Sequence, residues 1–259
     1  MIQTFKYSDI ALDGVAWGVE DVLDGLGVPE ARGENTLVPF VTGRRFVKKR
    51  KDHKTIILAM YVAGVNRSSV TDPLSEEQLE INKDYLSKLF GKRGLYKLER
   101  IMPDNSVREA WAEVIAPIQF EHIGKTVARF TVEFLIPAGI FTGPKDVTYT
   151  LSAADLQHAG TAPQDGMTIT MNGPYTNPKL LNKSNGVWVQ YLGTLAAEES
   201  LVIKTADYSV MKADQNMVSA FRHGGDASWF ILEPGANELE LTTDGAGGSV
   251  TIAFKPAYY

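Results

Sequence analysis

Polar and apolar residues alternate with a period of two through much of this chain, and the alternation predicts strands. The clearest case is TVARFTVEFLIP, where Phe130, Val132, Phe134 and Ile136 interleave with Arg129, Thr131, Glu133 and Leu135, giving one apolar and one mainly polar face. TIILAMYVAG, from Thr55 to Gly64, is β-branched and mostly apolar, which fits a well-buried strand. LYKLERI (Leu95 to Ile101) and REAWAEVIAPIQF (Arg108 to Phe120) read as further strands, separated by the turn MPDNS. One segment breaks the pattern. In TDPLSEEQLEINKDYLSKLFGKRG the apolar residues Leu79, Leu86, Leu89 and Phe90 recur at helical spacing. Asp72 with Pro73 behind it, or Ser75 with Gln78 in the capping-box position, would start the helix, and Gly91 or Gly94 would end it. Glu76, Glu77 and Glu80 suit its N-terminal end, as Lys88, Lys92 and Arg93 suit the other. The first ~140 residues therefore predict a sheet carrying one amphipathic helix.

Beyond PAGIFTGPKD, with Pro137, Gly139, Gly143 and Pro144, no further helix is predicted. Short strands follow at regular spacing: MTITM, GVWVQYLG, SLVIKT, DYSVMK, SWFIL, NELELTT and SVTIAF, separated by Gly, Pro, Asn and Asp. That pattern predicts a β-sandwich. The division expected is a domain over residues 1–143 and a second over 144–259. NELELTT and SVTIAF are expected to pair as a hairpin across TDGAGG, with Leu239 and Leu241 opposite Val250, Ile252 and Phe254. Tyr258 and Tyr259 then become packing or interface residues.

Composition narrows the chemistry. The 259 residues include no cysteine, which excludes disulfides, a thiolate nucleophile and cysteine-based zinc sites. No apolar run is long enough to span a bilayer and no signal peptide opens the sequence, so a soluble chain made in the cytoplasm is expected. The net charge of −5 is unevenly shared: residues up to Gly143 carry 19 basic and 19 acidic side chains, and those beyond it 7 and 12. The second region is therefore a poor surface for phosphates. Basic charge concentrates in GRRFVKKRKDHK, from Gly43 to Lys54, where Arg44, Arg45, Lys48, Lys49, Arg50, Lys51 and Lys54 meet only Asp52. This run is the best nucleic-acid candidate in the chain, but such runs are more often solvated loops or arms that meet an acidic neighbour. Specific nucleic-acid binding is not expected.

No catalytic motif emerges. His53, His122, His158 and His223 have no partner at helical spacing, and no nucleophile elbow, phosphate loop or dinucleotide fingerprint follows a predicted strand. A pair of carboxylates from distant strands, as in glycosidases, leaves no local signature. No enzyme, metal or cofactor is expected. The rival reading is a carbohydrate-binding module, because Tyr175, Trp188, Tyr191 and Trp229 lie in the predicted sandwich; the alternation around Trp188 and Trp229 predicts instead that both fill its core.

Three motifs of the second region carry a resemblance: the turn GPYTNP at Gly173 to Pro178, the segment LAAEESLVIKT within Leu195 to Thr205, and WFILEPGAN at Trp229 to Asn237. In this order, and followed by the aromatic-ended last strand, they resemble the C-terminal domain of siphophage distal tail proteins. The first region, with GLYKLERIMPDNSVREAWAEV and a strand ending in FLIPAG, is similar to the tail-tube-type β fold from which that family builds a ring. The resemblance implies a mainly β virion protein, with a tail-tube-like ring-forming domain followed by a sandwich of galectin or carbohydrate-binding-module type. It also implies a hexameric ring at the tail tip that joins the tail tube protein to the tail hub protein and to receptor-binding proteins. VKKRK is more basic than the family pattern. Arg44, Arg45, Lys48, Lys49, Arg50, Lys51, Tyr258 and Tyr259 are the candidate interface residues.

Overall fold

The computed structural model describes residues 4–33, 36–37, 42, 44–45, 50–68, 71–152, 154–225, 229–245 and 247–259. The protein separates into two compact units, Met1–Phe141 together with Tyr259, and Thr142–Tyr258.

The first unit is built on one antiparallel sheet in the order Ile10–Ala11, Thr4–Tyr7, Tyr96–Ile101, Val107–Val114, Val127–Ile136, Lys54–Ala63 and Trp17–Asp24. The alternation read at 129–136 has its expected outcome: Phe130, Val132, Phe134 and Ile136 are buried, and all ten residues of that strand pair with Lys54–Ala63. Val107–Val114 changes partner along its length. Residues 107–112 pair with Tyr96–Ile101, and Glu113 and Val114 pair with Leu135 and Phe134. The predicted continuation of this strand to Phe120 does not occur, and residues 115–120 lie outside any strand. Pro117 within that stretch lacks the N–H a ladder needs.

The helix runs Glu76–Phe90 and begins at Ser75, whose hydroxyl accepts from the Gln78 N–H at 3.0 Å. The Gln78 side chain does not close the capping box; it donates instead to Asn82 Oδ1 at 3.1 Å. Asn82, fully buried, donates in turn to the carbonyls of Ala63 and Val65 at 2.8 and 2.9 Å. The helix is thus tied to the end of the Lys54–Ala63 strand by a satisfied polar link as well as by Leu79, Leu86, Leu89 and Phe90. Phe90, Tyr7 and Phe134 form an aromatic cluster with centroids 4.9–6.1 Å apart.

The second unit is a sandwich. One sheet orders Val147–Thr150, Ser249–Phe254, Met167–Asn172, Ser200–Lys204, Ser209–Lys212 and Gln215–Asn216; the other orders Phe221–Gly224, Val187–Tyr191, Lys179–Asn182 and Leu239–Thr242. Ile169, Ile203, Ile252 and Phe254 from the first sheet and Leu180, Val189, Tyr191 and Phe221 from the second share one core. The expected closing hairpin is therefore wrong. Ser249–Phe254 pairs with Val147–Thr150 and Met167–Asn172, while Leu239–Thr242 pairs with Lys179–Asn182 in the opposite sheet. Their alternating apolar residues point into the same core from its two sides, a relation that alternation alone does not distinguish from pairing. SWFIL is also not a strand: Phe230 and Leu232 are buried in irregular chain, with only a Gln164–Leu232 bridge.

Candidate assembly surfaces

The basic run grows out of the hairpin that joins Trp17–Asp24 to Lys54–Ala63. Two hydrogen bonds fix its base: the Asp52 N–H donates to the Glu30 carbonyl at 2.8 Å and the Asp52 carboxylate accepts from the His53 N–H at 2.8 Å. The second bond, with the His53 ring close by, holds the Asp52 carboxyl below the usual carboxylate range. Beyond this base Arg50 and Lys51 pair with Arg32 and Ala31, and further out Arg44 and Arg45 pair with Leu37 and Thr36. Four of the six predicted basic residues thus sit on a two-stranded ribbon; Lys48 and Lys49 lie outside the described residues. Lys54, the last cation of the run, does not belong to this ribbon. It opens the Lys54–Ala63 strand, buried, with Nζ 5.8 Å from the centre of the Phe141 ring and no hydrogen-bond partner. Burial, and after it the neighbouring Arg100 and Arg108, push its pKa down to about 8.

The outward face of the same sheet carries a ladder of charge around Lys97, whose ammonium lies 2.5 Å from Glu99, 3.6 Å from Asp9 and 3.8 Å from Glu109. Lys6 reaches Glu99 at 3.7 Å. Trp111, directly opposite Lys97 across the strands, is 63 % exposed, the most exposed large apolar side chain among the described residues. A tryptophan held open on a charged sheet face suits burial against a partner. Sequence reading passed over it because REAWAEV alternates like any half-buried strand.

In the second unit Trp229 is a core residue, as expected, and Tyr175 and Tyr191 are buried as well. Trp188 is not. It is half-buried on the outer face of the four-stranded sheet, opposite Gly224, with Lys179 Nζ 4.5 Å from its ring centre. A Cβ on Gly224 would come within 2.7 Å of the indole, so the glycine leaves the room the ring occupies. The alternation at 187–191 is intact; Val187, Val189 and Tyr191 fill the core and Trp188 falls on the other face. Tyr258 and Tyr259 are both half-buried, past the strand that ends at Phe254. Among the described residues no helix is long and apolar enough to cross a membrane.

Residues 159–258 match the family described as siphovirus-type tail component, C-terminal domain. Over its whole length the chain has the fold of the phage SPP1 distal tail protein, Dit, with 17 % identity, full coverage of both chains and a TM-score of 0.69. That structure is described as a paradigm of the hub adsorption apparatus in phages infecting Gram-positive bacteria. A chain of the phage p2 baseplate in its activated conformation with strontium also aligns, at 11 % identity over 98 % of this chain and 99 % of that one, with a TM-score of 0.41. No curated protein matches the sequence.

Proposed function

We propose that this protein is a non-enzymatic structural subunit of a tail-tip ring, a hexamer that connects the tail tube protein to the tail hub protein and to receptor-binding proteins of the adsorption apparatus. The observation that carries the reading is the tail-component domain at 159–258 within a chain that has the distal tail protein fold from end to end. In this reading the ribbon of Arg44, Arg45, Arg50 and Lys51 contacts a neighbouring copy, since head-to-tail contacts that close a ring need register, and charge supplies register without a large apolar patch. Electron microscopy of the purified protein tests it directly: rings with six-fold symmetry support it, and a protein that stays monomeric at high concentration contradicts it. The triple reversal Arg44→Glu, Lys48→Glu, Lys51→Glu should leave the monomer folded and abolish the ring. A second reading, contact with cell-surface glycans, is favoured by the corner that Tyr208 and Trp229 form in the second unit.

A further inference from the structure

Tyr208 occupies a position that packing of the sandwich does not demand. It lies in the turn between Ser200–Lys204 and Ser209–Lys212, its ring 54 % exposed and its backbone at φ 52°, a left-handed conformation that a residue with a Cβ adopts at some cost. The ring stands at 83° to the indole of Trp229, with centroids 5.4 Å apart. Trp229 is held from behind by Phe221 at 4.5 Å and His223 at 5.9 Å, so the corner is rigid. Against it opens a cavity of about 270 Å³ whose other walls are Asp165, Gly166, Thr205 and Ala206. The Thr205 hydroxyl fixes that wall, donating to the Asp165 carbonyl and accepting from the Met167 N–H.

An exposed ring over a cavity that Asp165 also lines suits a small ligand with an apolar C–H face and hydroxyl groups at its edge. The volume is just below the ~300–1,000 Å³ of sites for drug-sized molecules, which suits a ligand smaller than those. The net negative charge of the residues beyond Gly143, 7 basic against 12 acidic, argues against phosphorylated or acidic ligands. We propose that this corner is a saccharide subsite, in which the Tyr208 ring stacks on a pyranose and the Asp165 carboxylate accepts hydrogen bonds from its hydroxyls. The proposal rests on the glycan-contact reading and is independent of ring formation.

The test is titration of the full chain, followed by NMR or calorimetry, with glucose, galactose, N-acetylglucosamine and rhamnose and with choline as a cationic control. Saturable sugar binding should weaken by about tenfold or more in Tyr208→Gly. That variant removes the ring and suits the left-handed backbone, so its melting temperature should be unchanged or raised. Asp165→Asn should weaken binding as well. Sugar binding that survives Tyr208→Gly but is lost in Trp188→Ala overturns the assignment of the site and leaves glycan contact standing. No binding to any sugar, or binding of choline alone, overturns both.

Discussion

In the first unit one ladder of ten consecutive pairs joins Lys54–Ala63 to Val127–Ile136, whereas the longest ladder of the second unit has six pairs, between Met167–Asn172 and Ser249–Phe254. The first unit closes its core with long strands, a helix and an aromatic cluster. Short strands leave many loops, and the second unit ties them with buried amides. Asn237, fully buried, uses both of its side-chain groups twice: Oδ1 accepts from Asn182 Nδ2 and from the Glu233 N–H, both at 2.9 Å, while Nδ2 donates to the Glu233 and Gly235 carbonyls at 2.8 and 3.1 Å. The contrast teaches where each unit is vulnerable. The first should yield to losses along its central strands, the second to the loss of a single polar side chain.

The largest expected effect comes from deleting residues 249–254. Val250, Ile252 and Phe254 each contribute about 1.5–3 kcal/mol of burial, and the deletion also strips both flanking ladders. Against a typical domain stability of about 5–15 kcal/mol, the second unit should unfold and the first should not. Calorimetry should then show a single transition, belonging to a first unit that keeps its helix. Loss of both transitions would mean that the units are not separable, and would argue against a domain division near residue 143.

Asn237→Ala should come next, at about 3 kcal/mol, because it leaves the Glu233 N–H and a donor of Asn182 buried without their partner. Chemical denaturation followed by a probe confined to the second unit measures it. An effect below about 1 kcal/mol would show that the loops do not depend on this amide.

Lys54 sharpens the comparison from the other side, since here the first unit carries a buried polar atom without a hydrogen bond. Lys54→Met should stabilise by about 1–3 kcal/mol at neutral pH by removing a charge that burial disfavours. The pH dependence has a definite sign. In the folded chain the amine loses its proton near the pKa of about 8, whereas the unfolded chain keeps it up to 10.5. Between those values the unfolded state binds more protons, so this group makes stability rise with pH, and Lys54→Met should lose that slope. His158 gives the second unit a smaller acid counterpart. Its Nε2 accepts from the buried Ala257 N–H at 3.1 Å, and burial lowers its pKa, so stability should fall as the pH drops below about 6.5. His158→Gln should flatten that slope.

The smallest effect expected is Ser75→Ala, about 1 kcal/mol, confined to the first unit and read as a lower melting temperature of its transition. Of the two starts open in the sequence, Asp72 and Ser75, only Ser75 has the hydroxyl placed on the Gln78 N–H.

What was legible in the sequence was local. Alternation at 129–136 and the cap at Ser75 are properties of a few adjacent residues, and both led to the right element. What was not legible depends on residues far apart. Leu239 and Val250 alternate as a hairpin would, but their strands belong to opposite sheets. Trp188 obeys its strand's period yet faces outward, because the period does not say which face is the core. Arg44, Arg45, Arg50 and Lys51 lie on paired strands, whereas Lys54, read into the same run by adjacency, opens a long strand and is buried. Of the surfaces, Trp111 and Tyr208 were missed, since exposure and backbone strain leave no mark in composition.

The position of Ser249–Phe254 between Val147–Thr150 and Met167–Asn172 also sets an order of events during synthesis. The seven strands on the main path of the first unit's sheet have all been made once residue 136 has left the ribosome, and that unit is free to fold while translation continues. The second unit cannot: an inner strand of its larger sheet, Ser249–Phe254, is made some eighty positions after its nearer partner begins. Until then Val147–Thr150 and Met167–Asn172 wait with open edges. A nascent chain stalled before residue 249 should therefore present a folded first unit and an adhesive, unfinished second one, the form most in need of a chaperone.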